Sequence, residues 1–189
     1  MAGRLFAIVG PSGAGKDTLI EAVRARCPDL VVTKRVITRP STAGGEDFEG
    51  VTQEEFDNRL RAGAFVIHWV AHGLSYGIPA SIKNDLAAGR TVIFNGSRAA
   101  LANAHSQFPE LQVILITAEP EVLAERLTAR GRETKEDILS RLHRADLSVP
   151  NCLPVHRIEN NSALEDAVHQ LVTLIGQEAS TCPTSGNLL

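Results

Sequence analysis

GPSGAGKDTL, residues 10–19, is the stretch that decides how this chain is read. An apolar run, Leu5 to Val9, leads into it, and Leu19, Ile20 and Val23 fall on one helical face after it. A glycine-rich turn from strand to helix aims several backbone N–H groups into one concavity at the positive end of the helix dipole, and polyphosphate fits there. Gly10, Gly13 and Gly15 let the backbone approach the phosphates, and Lys16 reaches the β- and γ-phosphates as a point charge. Gly10, Pro11, Ser12, Gly13, Ala14, Gly15 and Lys16 thus match the Walker A pattern, and with Asp17 and Thr18 they predict a nucleoside triphosphate site. One position departs from it. The Ser or Thr that ordinarily holds Mg²⁺ after the lysine is Asp17, and the hydroxyl arrives one residue later at Thr18. Both are candidate metal ligands, Asp17 directly or through water.

The 189 residues suit one α/β domain with a substantial core. With 43% hydrophobic and 22% charged residues and a net charge of -3, the composition is that of a soluble globular protein and gives no basic footprint for nucleic acid. No charged leader followed by a long apolar stretch opens the chain, so the expectation is a cytoplasmic protein with no membrane association. Cys27, Cys152 and Cys182 are odd in number and widely spaced, which favours free thiols over a disulfide framework or a zinc site.

Further along, Val31 to Ile37 reads as one β-rich run and Thr38-Arg39-Pro40 with the following Ser-Thr-Ala-Gly-Gly as a loop. Thr52-x-x-Glu55 is a capping box opening a helix that carries Phe56 and Leu60. Ala64 to Val70 reads as a strand, Ala71 to Gly77 as a turn-rich segment, and Pro79 as the first turn of a helix reaching Ala88. Strands at Thr91 to Asn95, Val113 to Thr117 and Val155 to Glu159 alternate with helices at Pro120 to Ala129, Glu136 to Leu147 and around Leu164 to Ile175. Residues 180–189 read as a disordered tail. Alternating strands and helices predict an α/β fold with a parallel central sheet covered on both faces and ligands at the carboxyl ends of its strands.

GPSGAGK, then TRP with GGE, then YG, then RLTARGRE with Arg141 beyond it, together resemble the guanylate kinase family in order and spacing over most of the chain. The resemblance implies a P-loop NTPase three-layer fold of nucleoside-monophosphate-kinase type within residues 1–179. It also implies an acceptor-binding segment at about 33–90 and a lid at about 130–141. The acceptor segment departs from that family. Arg39 and Tyr76 keep phosphate-binding types, while the second arginine of the family's Arg-x-x-Arg is Thr42. The serine and glutamate that contact guanine fall on Arg35 and His68, and the acidic pair ending the central strand falls on Asn95 and Ser97, followed by Arg98. Carboxylates suit guanine's N–H donors, whereas cations suit phosphate oxygens. An acceptor more anionic than GMP, with no need of guanine, is the expectation.

These departures, with VITRP, HGLSYG and NGSR, resemble the ribose 1,5-bisphosphate phosphokinases of bacterial phosphonate catabolism. That resemblance implies γ-phosphoryl transfer from ATP, with Mg²⁺, to the 1-phosphate of ribose 1,5-bisphosphate, giving 5-phosphoribosyl 1-diphosphate (PRPP) and ADP. It implies a catalytic set of Lys16 and the lid arginines Arg130, Arg132 and Arg141. For the acceptor it implies Arg35, Arg39, Tyr76 and Arg98, then His68 and Glu46. His68 between Ile67 and Trp69 reads equally as a half-buried structural histidine, and Glu46 as a solvated loop charge. A guanylate or other nucleoside-monophosphate kinase, a guanylate-kinase-like protein-binding module, and a nucleotide sensor remain open, as does the oligomeric state.

Overall fold

A computed structural model describes residues 3–41, 46–129, 149 and 153–177. Its centre is a five-stranded sheet in the order β2-β7-β1-β8-β9, every neighbouring pair parallel. The strands are β1 (Arg4–Val9), β2 (Val31–Val32), β7 (Thr91–Asn95), β8 (Gln112–Thr117) and β9 (Val155–Glu159). Alternation along β1 sorts the core into two halves. Phe6 and Ile8, with Ile93, Ile114, Ile116 and Ile158, pack under Leu19 and Val23 of α1 (Lys16–Arg26), Leu123 of α5 (Pro120–Thr128), and Val168 and Leu171 of α6 (Leu164–Gln177). Leu5, Ala7 and Val9, with Val92, Phe94 and Val113, face Ile82 of α3 (Ile82–Ala87) and Leu101 and Ala104 of α4 (Leu101–Gln107). Each such aliphatic or aromatic side chain, fully buried, contributes about 1.5–3 kcal/mol, and burial on both faces accounts for the nearly unbroken apolar strands. The expected three-layer fold is present.

Residues between β2 and β7 build a second, four-stranded sheet in the order β4-β3-β6-β5, from β3 (Arg35–Ile37), β4 (Phe48–Gly50), β5 (Phe65–Ala71) and β6 (Leu74–Pro79). Its Ile67, Trp69 and Ile78 enter the core beside Val9 and Phe94, so the two sheets share one hydrophobic contact. Helix α2 (Gln53–Arg61) is capped by Thr52, whose side chain accepts from the Glu55 N–H at 3.1 Å, and its Phe56 stacks on Phe65 with ring centroids 4.7 Å apart. Arg59 of α2 reaches Glu49 of β4 at 2.7 Å and Glu55 at 2.5 Å, and the hydrogen bond to Glu49, then that to Glu55, raises its pKa.

Three expectations are corrected. The run 31–37 is two strands in two sheets, because Val31 and Val32 pair with Val92 and Ile93 while Val36 and Ile37 pair with Gly77 and Tyr76. Residues 71–77 are not an extended turn. His72 (φ 52°) and Gly73 (φ 72°) make a two-residue hairpin with φ positive at both positions, and the chain returns at once as β6. Pro79 closes that strand opposite Phe65 and the helix starts later, at Ile82. The expected lid at 130–141, the helix at 136–147 and the tail at 180–189 lie outside the described residues.

Candidate active site

Gly10 leaves β1 where the backbone passes against β8, and a Cβ there would lie 2.1 Å from the carbonyl oxygen of Ile116, so no larger residue fits. The turn closes at Gly15 in a left-handed conformation (φ 84°), and α1 begins with Lys16. The Lys16 ammonium donates to the carbonyls of Gly10 at 2.9 Å and Pro11 at 3.0 Å, which holds Nζ across the mouth of the loop. Beneath it, Asn160 after β9 donates its side-chain amide to the Ala14 carbonyl at 2.8 Å, while its backbone N–H bonds Thr117 at 2.7 Å. Asn160 is 4% exposed, and sequence reasoning missed it, since an asparagine in Asn-Asn-Ser signals a turn and nothing more.

Asp17 stands on the first turn of α1 and accepts a hydrogen bond from the Asn95 side-chain amide at 2.6 Å. Asn95 ends β7, in register with Ile8 of β1, which brings its side chain beside the loop. A carboxylate only accepts, so Asn95 must present its NH₂ group. Its Oδ1 is then buried with no partner among the described residues.

The acceptor segment closes the opposite side of the same cleft, a cavity of about 340 Å³. Lys16, Asp17 and Thr18 line it together with Arg35, Arg39, Glu46, Tyr76 and Arg98. Arg35 Nε donates to Glu46 at 2.9 Å and its Nη2 to the other carboxylate oxygen, a bidentate pair with side chains 11% and 15% exposed. The guanidinium lies 5.9 Å from the ring centre of Trp69 and 5.2 Å from that of Tyr76, rings that stack on each other within 2° of parallel. Arg35 therefore enters the cleft with its charge offset by Glu46, as part of a rigid wall. Arg39 rests over the Phe48 ring, 4.2 Å from its centre. Arg98 opens a single 3₁₀ turn, separated from the end of β7 by two residues. His72 lines the cleft from the hairpin tip. His68 does not, and the half-buried reading of it is corrected: neighbouring Ile67 and Trp69 take the inward positions of β5, leaving His68 exposed. Arg130, Arg132 and Arg141 lie outside the described residues.

A cavity of about 360 Å³ on the other flank of the loop is lined by Gly13, Gly15, Thr18, Arg126, Asn160 and Leu164. The phosphate loop thus has open space on two sides. A donor nucleotide and a separate acceptor have room to approach it together.

Comparison with known proteins bears on which acceptor. Residues 2–178 match the family described as guanylate kinase. The chain is 46% identical over 180 residues to the ribose 1,5-bisphosphate phosphokinase PhnN of Agrobacterium fabrum, covering 94% of this chain and 98% of that protein. It is equally 46% identical over 184 residues to the PhnN of Azotobacter vinelandii, covering 95% and 99%. A crystal structure of guanylate kinase from Anaplasma phagocytophilum superposes with a TM-score of 0.69 at 18% identity, over 95% of this chain and 88% of that one, which supports the fold. The chain belongs to the guanylate kinase family and, within it, to the ribose 1,5-bisphosphate phosphokinases.

Proposed function

We propose that the chain phosphorylates the 1-phosphate of ribose 1,5-bisphosphate at the expense of ATP, releasing PRPP and ADP. The observation that carries this reading is the composition of the acceptor half of the cleft. Positions that would meet a guanine base hold Arg35 and Ser97, and the carboxylate that remains, Glu46, is engaged by Arg35. A site with its base-matched acceptors removed rejects a guanine nucleotide by leaving donors unpaired, while cations and a phenol suit two phosphates.

The nucleophile is a phosphate oxygen, already anionic near neutral pH, so the protein's task is positioning and charge neutralisation. The loop N–H groups and Lys16 hold the ATP phosphates. Arg39, Arg98 and Tyr76 hold the acceptor's phosphates, with the Arg35–Glu46 pair as the wall against which the sugar rests. Arg130, Arg132 and Arg141 are assigned to the lid, where they gather charge on the transferring group and exclude water.

Guanylate-kinase-like P-loop kinases generally use ATP with Mg²⁺. The donor set fits a hard, oxygen-seeking cation: the Asp17 carboxylate, the Thr18 hydroxyl and the orphaned Oδ1 of Asn95 all flank the loop. A Mg²⁺ held by these residues would supply positive charge against the ATP phosphates. Among the described residues no helix is long and apolar enough to cross a membrane, and dependence on ATP argues for a cytoplasmic setting.

Phosphorus NMR of the product mixture, with ribose 1,5-bisphosphate, GMP and AMP as competing acceptors, tests the reading. New coupled diphosphate signals on an anomeric carbon are expected with ribose 1,5-bisphosphate. Faster turnover of GMP overturns it.

A further inference from the structure

Two positions around the loop carry exchanged chemistry. In P-loop enzymes a hydroxyl follows the lysine and an acid ends the strand beside the loop strand, and the two hold the metal between them. Here the residue after Lys16 is the acid, Asp17, and the residue ending β7 beside β1 is the neutral amide, Asn95. They touch, at 2.6 Å. Two carboxylates at that separation would not both ionise, so an acid on the loop requires a neutral residue on the strand. The pair keeps one negative charge and moves it from strand to helix.

We propose that Asp17 and Asn95 form a charge-exchanged Mg²⁺ centre, in which Asp17 supplies the anionic ligand and Asn95 is the positioning residue that aims it. This rests on the kinase reading of the donor half and is independent of the acceptor's identity. The charge-assisted bond from Asn95 occupies one carboxylate oxygen and leaves the second for the cation. Asn95 is 8% exposed, and its partnerless Oδ1 is a further oxygen donor, to the ion or to one of its waters. Both residues also stand on the wall shared by the main cleft and a neighbouring cavity, which Thr18 and Glu46 line as well. Among the described residues Asp17 makes no ion pair that would compete for its charge.

The test is the affinity of Mn²⁺ for the full chain saturated with ADP, read by electron paramagnetic resonance. Asp17→Asn, which keeps the shape, is expected to weaken Mn²⁺ by about tenfold or more, and Asn95→Ala by about tenfold through the loss of orientation. The swapped pair, Asp17→Asn with Asn95→Asp, restores the charge on the strand and is expected to return within about threefold of the parent. Calorimetric ADP binding without metal is expected to be retained in all three, and tightened in Asp17→Asn where a charge that repels the phosphates is gone, which separates a lost ligand from a lost fold. Parent-like Mn²⁺ affinity in Asp17→Asn or Asn95→Ala, or a swapped pair as weak as Asp17→Asn, overturns the proposal. No phosphoryl transfer to any acceptor, with Mn²⁺ behaving as expected, would overturn the functional reading alone.

Discussion

Asn160 and Ala14 are 146 residues apart in sequence and 2.8 Å apart in space, the side-chain amide of one holding the loop carbonyl of the other. The bond ties the phosphate loop to the segment that leaves the edge strand of the parallel sheet. Loop shape is thereby set by the far end of the chain.

Asn160→Ala removes that anchor and leaves a buried carbonyl unpaired. A loss of about 1–3 kcal/mol in urea unfolding is expected. The KM for ATP should rise more than the KM for the acceptor, measured by coupled ADP release.

Arg35 and Glu46 form a nearly buried bidentate pair, so removing either partner strands a charge. Glu46→Ala is expected to cost about 2–4 kcal/mol in urea unfolding, and Arg35→Met with Glu46→Leu less than either single change. The double variant should still bind ATP and lose acceptor affinity.

His68 is exposed on β5 and stands apart from the cleft. His68→Ala should alter stability by less than about 0.5 kcal/mol. The acceptor KM should be unchanged in steady-state assays, which separates this histidine from Arg39.

Lys16 spans the loop through two carbonyl contacts, and its proposed part is to bring its charge to the ATP phosphates. Lys16→Met is expected to lower kcat by about a hundredfold or more, since an oriented charge in the transition state is lost. Thermal melting should shift little by comparison.

The donor half was legible because its signals are local. Glycine spacing, Lys16 and the apolar run Leu5 to Val9 each specify backbone conformation where they stand, and β1, the loop and α1 lie where those residues put them. The acceptor half depends on pairing between distant strands. Ser75, Tyr76 and Gly77 have the composition of a turn, yet pairing to β5 on one side and β3 on the other makes them a strand, tertiary context overriding propensity. Strand β4 is three residues long, too short for any period to register. Trp69 is core, but its stacking on Tyr76 beneath Arg35 is visible only once the hairpin is folded. The Asp17–Asn95 bond has the same character: the sequence marks both residues as unusual, and only the register of β7 on β1 shows that they answer each other.

Strands β2 and β7 are neighbours in the parallel sheet, although the whole acceptor segment is inserted between them. The chain therefore leaves and re-enters the donor framework at adjacent points, as a cassette does. The residues proposed for the acceptor could then be exchanged nearly as one block while β1, the loop and α1 stay intact, by grafting this segment at Val32 and Thr91 into a related kinase framework together with Ser97 and Arg98 after β7.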